Sequence, residues 1–205
     1  MAKEVPLKQL SDFLPPDSID DVMHYLNTYE VHLTVTRKRL SVLGNYRNRV
    51  AKENHRITVN GNLNKFSFLI TLLHEIAHLL AFEKYGHRIS PHGDEWKKEY
   101  AKVLSAFIKK KLFPEDIKEV LLTSLKNPAA SSCADMDLIR VLKKHDTGAK
   151  TVFVENIKEG AMFKIQGERV FKKGEKMRTR YKCLDVATRK LYLFSAVYEV
   201  VPVKE

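Results

Sequence analysis

Cysteine is scarce in this chain: there are only Cys133 and Cys183, far apart among 205 residues. Two such cysteines make no disulfide framework, and free thiols in a reducing cytosol are the simpler account. No run of about 18 apolar residues occurs, so no transmembrane helix is expected. The opening MAKEVPLKQL lacks an apolar core, so no signal peptide is expected. These absences point to the cytoplasm and to no membrane partner. Acidic residues are the minority, 25 against 36 Lys and Arg, for a net charge of +11. A basic balance of that size suggests an acidic partner, of which nucleic acid is the commonest. With 44% apolar residues, the length suits one domain with an ordinary core plus a small appendage.

What is present centres on Phe66–Phe82, FSFLITLLHEIAHLLAF. Apolar residues surround the motif on nearly every side, which describes a buried helix. Within it stand His74, Glu75 and His78 in the order H-E-x-x-H. Residues four apart share a helix face, so His74 and His78 can offer two imidazoles to one metal ion. Glu75 lies one step round and can reach a water there. Two nitrogen ligands plus a carboxylate base is the zinc-peptidase arrangement. The bland alternative is a core helix whose polar groups are satisfied by neighbours. A glutamate in apolar surroundings is costly without a partner, and a metal-bound water supplies one.

A catalytic zinc site takes a third protein ligand and leaves a position for water. A metzincin would carry histidine at position 84, which here is Lys84. Downstream stand His87, His92, Glu95 and Glu99. Gly86 is a natural helix stop, and Ser90–Trp96 carries start signals in Pro91, Asp94 and Glu95, so a second helix can return past the first. A ligand at the start of that helix is geometrically reasonable. His87 reads as a solvated loop histidine. Glu99 could serve in a gluzincin-like site, although the position four beyond it is Val103, where that pattern has aspartate.

TLLHEIAHLL followed by PHGDEW resembles the SprT-like metalloproteases, the family that includes the eukaryotic Spartan proteases. VHLTVTRKRLSVLGNYRN, with its G-x-Y strand, is also similar to that family. The resemblance covers about residues 17–125. It implies that His92, in an H-G-x-E-[FW]-like motif, is the third zinc ligand, giving one Zn²⁺ held by His74, His78 and His92. It also implies proteins on DNA, including DNA–protein crosslinks, as the substrate class. The chain departs from the pattern at its end, where many bacterial members carry a four-cysteine zinc ribbon. Only Cys183 stands there, so a metal-free replacement of the ribbon is expected.

Taken in order, residues 4–16 read as a short helix or arm ended by Pro15-Pro16. Asp17 or Ser18 caps a helix to about Tyr29, in which His24 is a surface residue. Val31–Thr36 reads as a strand, Gly44-Asn45 as a turn or bulge, Tyr46–Arg49 as a second strand and His55–Asn60 as a third. Asn62 or Asn64 caps the motif helix. The returning helix spans about His92 to Lys111, with Trp96, Tyr100, Val103, Leu104 and Phe107 on its core face. Pro114-Glu115-Asp116 opens another helix, Asn127–Cys133 is the clearest linker, and Asp135 starts a short helix to Lys144. The expected class is α+β: a zincin-like core of helix, three-stranded sheet, motif helix and returning helix, with a small C-terminal antiparallel β domain. The expected divisions are a protease domain over 1–126, a linker and short helix over 127–147, and a basic β domain over 148–205.

From Gly148 the segments TVFVENI, AMFKIQ, GERVFKK, KMRTRYKCL, KLYLFS and VYEVVP read as short strands. Lys172, Lys173, Lys176, Arg178, Arg180 and Lys182 interleave there with Phe171 and Tyr181. Such a mixture suits a phosphate backbone and stacked bases, and equally a strand with one solvated face. The reading for the whole chain is a zinc endopeptidase of HExxH type acting on protein substrates associated with DNA, with Glu75 as general base. Two rivals stand beside it. One is a nucleic-acid-binding protein with a structural zinc, for which a retained Glu75 has no use. The other is a peptidase with no nucleic-acid role.

Overall fold

The structure, a computed structural model, describes residues 7–39, 42–50, 53–125, 135–148, 151–165 and 167–203. It divides into two compact units, residues 1–146 and 147–205. The stretch Asn127–Cys133, expected to be a linker, lies outside the described residues.

In the first unit a 3₁₀ turn, Leu7–Asp12, precedes α1, Ile19–Thr28. Val22 and Leu26, four apart, bury one side of α1. Ser18 stands at its N-cap but turns its hydroxyl back to donate to Pro15 O at 2.8 Å. Three strands follow: β1 Val31–Thr36, β2 Gly44–Arg47 and β3 His55–Asn60. The sheet order is β1-β3-β2, with β1 parallel and β2 antiparallel to the central β3. Gly44 and Asn45, read from sequence as a turn or bulge, are the first two residues of β2. Glycine's weak strand preference is overridden there by a close approach to the helix below, described in the next subsection.

Alternation on β3 buries His55, Ile57 and Val59 and exposes Arg56. Asn60 closes the end of the sheet. Its Oδ1 accepts from Arg39 Nε at 2.8 Å and Thr36 Oγ1 at 3.1 Å, and its Nδ2 donates to Val42 O at 2.9 Å. A buried amide with its partners made is a fixed point, and it ties the β1–β2 connection to β3.

The buried face of the sheet meets α2, Lys65–Tyr85. Asn64 caps it by accepting from the Ser67 N–H at 2.9 Å, while its Nδ2 donates to Leu142 O and Asp146 Oδ1. Gly86, at φ 75°, ends it in a conformation that costs glycine little. At 21 residues, about 31 Å, α2 is long and apolar enough to cross a membrane by composition. It is instead the core helix, buried on nearly all sides from Phe68 to Ala81. α3, Asp94–Lys109, packs along it through Trp96, Tyr100, Val103, Leu104 and Phe107. α3 starts two residues later than the sequence suggested, leaving His92 in the turn before it. α4, Glu115–Ser124, and α5, Met136–Lys143, add Ile117, Leu121, Leu138, Val141 and Leu142 to the same core.

The second unit is a separate antiparallel sheet, ordered β4-β9-β5-β6-β7-β8. Its strands are β4 Val152–Phe153, β5 Met162–Lys164, β6 Val170–Lys176, β7 Arg180–Asp185, β8 Leu191–Ser195 and β9 Glu199–Pro202. TVFVENI, expected to be one strand, is two strand residues and then a 3₁₀ turn at Val154–Asn156. Phe163, Phe171, Cys183, Phe194 and Val200 form its core with Val154 and Ile157.

A candidate metal centre

α2 presents His74 and His78 one turn apart, and the turn before α3 brings His92 to them. Their Nε2 atoms form a near-equilateral triangle with sides of 3.1, 3.2 and 3.0 Å. Among the described residues this is the one cluster of three donors placed to hold a metal. These three nitrogens would be the residues' contribution to a bound zinc ion, which would supply Lewis-acid chemistry there. Three neutral imidazole nitrogens this close together are donors that a single cation can take in common. The donor set therefore fits Zn²⁺.

His92 has φ 60°, a left-handed conformation that few residues other than glycine adopt, though histidine is among the more tolerant. The turn is closed by the Gly93 N–H donating to Ser90 O at 2.9 Å. A side chain on Gly93 would crowd Ser90 O at 3.0 Å, so the turn is tight as well as strained. Trp96 packs its indole against all three imidazoles, with centroids 4.7, 5.3 and 4.8 Å from His74, His78 and His92. Its buried Nε1–H has no partner among the described residues.

Burial, reinforced by the neighbouring imidazoles, holds the pKa of His74 down to about 3 and that of His78 to about 4. His92 is lowered by burial too. All three are neutral near pH 7, the form that binds metal. Glu75 is buried beside them. Desolvation pushes its pKa up to about 7, against a hydrogen bond from the Tyr46 backbone N–H and the charge of Arg39, both of which pull it down.

Gly44 explains how β2 reaches Glu75. A Cβ at that position would stand 2.7 Å from Glu75 Oε1 and 2.7 Å from Thr71 Cγ2. Tyr46, two residues on, lies parallel to the His78 ring with centroids 6.4 Å apart. Its hydroxyl meets His55 Nδ1 at 2.9 Å, His55 Nε2 meets Glu83 Oε1 at 3.2 Å, and Glu83 pairs with Arg49 at 3.1 Å. This chain of contacts braces the sheet against the last turns of α2. Burial raises the Tyr46 phenol and lowers the His55 imidazole, so both stay neutral.

Glu99 does not join the triangle. Its Oε1 accepts from Lys84 Nζ at 2.9 Å and Lys102 Nζ at 3.0 Å. Burial alone would raise this carboxyl, but the two ammonium groups bring it below its usual range. His87 and His24 are exposed. Sequence reasoning did not find Tyr46, His55 or Arg39. A glycine inside a strand-like run was the available signal for Gly44, since it marks close backbone approach.

The residues proposed for nucleic acid in the second unit divide by strand parity. Lys172, Lys176, Arg178 and Arg180 are exposed. Lys182 is half-buried and pairs with Glu175 at 3.6 Å. Phe171 and Lys173 point inward, and two expectations fail there. Phe171 stacks on Phe163 in the core and offers no face to a base. Lys173 Nζ donates to the carbonyls of Glu155 and Ile157 and sits 4.1 Å from the Tyr181 ring centroid. That leaves Tyr181 half-buried with a lysine over its ring. Cys183 is buried in the same core.

A family model described as the SprT-like family matches residues 19–119. The chain is also similar to the proteins named Protein SprT from Pseudomonas fluorescens strains SBW25 and Pf-5, each 56% identical over 27 residues. That match covers 13% of this chain and 16% of each relative's length. No solved structure matches the chain significantly.

Proposed function

Residues 19–119 place this chain in the SprT-like family, and from that premise we propose that it is a zinc-dependent endopeptidase acting on proteins associated with DNA. The observation that carries the reading is the convergence of three neutral imidazoles with a buried carboxylate beside them. We read the three-stranded sheet over α2 and α3 as a zincin core, with His74, His78 and His92 holding one ion. Zn²⁺, when bound, supplies a Lewis acid that polarises the scissile carbonyl and acidifies a water.

Glu75 is the general base: it takes the proton of the attacking water and delivers it to the leaving amine. The Tyr46 N–H orients its carboxylate. The Tyr46 N–H and the charge of Arg39 both favour the ionised carboxylate that a base requires. β2 is an edge strand, and a substrate segment added to that edge would lie beside Glu75. The reading of DNA-associated substrates rests on the basic balance of the chain and on the exposed Lys172, Lys176, Arg178 and Arg180. The free buried Cys183 suits a reducing, cytoplasmic setting.

Glu75→Gln is the test. It should keep the fold and the zinc and lose about 10²–10⁴-fold in turnover of an unstructured protein such as casein. Wild-type turnover by this variant would remove the assigned mechanism. A structural zinc without catalysis is the rival reading, and it predicts no cleavage by either protein.

A further inference from the structure

The first unit carries 23 Lys and Arg against 18 Asp and Glu, and the excess is not spread evenly. Residues 31–60 hold 7 and 1 of these, leaving 16 and 17 for the rest of the unit. The three strands lie in this basic segment. Alternation turns one face of them onto α2, and the opposite face bears a concavity of about 680 Å³.

The register arranges that outer face in rows. Thr34, Thr58 and Asn45 stand in line across β1, β3 and β2. Two residues along, His32, Arg56 and Arg47 stand in the next line. Arg39 lines the same concavity, and Glu53 is the single acid among its described lining residues. None of those described residues is Phe, Tyr, Trp or aliphatic.

Two features go beyond an ordinary solvated sheet face. Arg47 and Arg56 are directly opposed across an antiparallel pair, where like charges destabilise. Arg47 makes no ion pair among the described residues, and Arg56 meets only the exposed Glu53 at 3.1 Å. The fold gains nothing from this opposition. The second feature is Arg39, whose guanidinium is fixed by neutral acceptors alone: Asn60 Oδ1 at 2.8 Å and Thr58 Oγ1 at 3.0 Å. No carboxylate among the described residues pairs with it. It is a positioned positive charge with its rotamer already set.

We propose that the outer face of the β1-β3-β2 sheet binds the phosphate backbone of a nucleic acid strand, through Arg47, Arg56 and Arg39, with Thr34, Thr58 and Asn45 as neutral donors. This deepens the proposed role on DNA and rests on it. Guanidinium groups flanking hydroxyls and amides match phosphate oxygens. Contacts to phosphate oxygens carry no sequence information, so the binding is independent of base sequence. Because α2 covers the other face, a strand here leaves Glu75 and the three histidines uncovered.

The experiment uses the full chain carrying Glu75→Gln, which removes the proposed base, and reads anisotropy of a fluorescein-labelled oligodeoxythymidylate between about 50 and 200 mM salt. Arg47→Ser with Arg56→Ser should weaken binding roughly 10-fold per arginine at the low-salt end. It should also flatten the log–log salt slope by about 1.4, or 0.7 per phosphate on a single strand. The same loss should appear when Lys172, Lys176, Arg178 and Arg180 are already Ser. Arg47→Lys with Arg56→Lys should retain most of the affinity. Unchanged affinity and slope in both backgrounds would overturn the proposal, as would a Lys pair as weak as the Ser pair. Tighter binding to phosphatidylserine vesicles than to the oligonucleotide, lost in the Ser pair, would overturn nucleic acid as the partner. The readout needs no turnover, so its failure leaves the peptidase reading standing, and an inactive wild type leaves the binding result standing.

Discussion

Gly44→Ala adds one methyl group where the sheet meets the candidate catalytic helix. That carbon would stand 2.7 Å from Glu75 Oε1, 2.7 Å from Thr71 Cγ2 and 3.0 Å from Glu75 Cγ. β2 is held by its ladder to β3, and Thr71 is locked by its hydroxyl donating to Ser67 O at 2.8 Å. Glu75 is the group that must move, away from the Tyr46 N–H. Overpacking of this kind costs about 1–3 kcal/mol. Replacing glycine restores about 0.4–1 kcal/mol by restricting the unfolded chain. The clash wins, with a net loss of about 1–2 kcal/mol. For a unit of this size that lowers Tm by about 3–6 °C. Turnover should fall more, about 10²-fold, as expected for a reacting group displaced by about 1 Å. Zinc content should stay at one per chain, because the histidines are untouched. The assay is casein cleavage with elemental analysis and a thermal melt on the same preparation. Adding Thr71→Ser removes one of the two short contacts, and should recover part of the Tm. A Gly44→Ala protein with full turnover and an unchanged melt would refute the close approach and the role drawn from it.

His92→Ala should lose zinc while Glu99→Ala keeps it, because Lys84 and Lys102 hold the Glu99 carboxylate out of the triangle; elemental analysis decides between them. The metal-free protein should lose stability on acidification. His74 and His78 have folded pKa values of about 3 and 4, below an unfolded value near 6.5, so below that pH the unfolded chain binds more protons. Stability is complete above about pH 6.5 and falls as pH drops toward 4 and 3, by up to about 1.4 kcal/mol per pH unit for each group. Denaturant midpoints between pH 7.5 and 4 that do not fall would contradict neutral burial of these rings. In the second unit, Lys173→Ser removes the donor to the buried Ile157 carbonyl and the part-buried Glu155 carbonyl and should lower its melting temperature, whereas Lys172→Ser, on the exposed face, should not; calorimetry of the two variants separates them.

The sequence by itself determined the helix and which side chains share its face. An apolar run with His74, Glu75 and His78 inside it reads as a buried helix with two imidazoles on one face, because spacing on a helix fixes direction. Caps and stops were nearly as legible: Gly86 and Asp135 act through local backbone geometry, and the choice between Asn62 and Asn64 falls to Asn64. Strand existence was readable too, from β-branched alternation in Val31–Thr36 and His55–Asn60. What tertiary structure decided were matters of register and approach. His92 becomes part of the triangle only because a left-handed turn aims it there, and no periodicity announces a turn's φ. Gly44 looked like a turn or bulge residue because only the packed helix shows that a strand needs room for a carboxylate. Phe171 and Lys173 looked like a basic–aromatic binding stretch, since composition does not say which side of a strand faces the core. Strand pairing settles that, and it also lines up Arg47 with Arg56, residues nine apart in the chain whose opposition exists only once β2 has paired with β3.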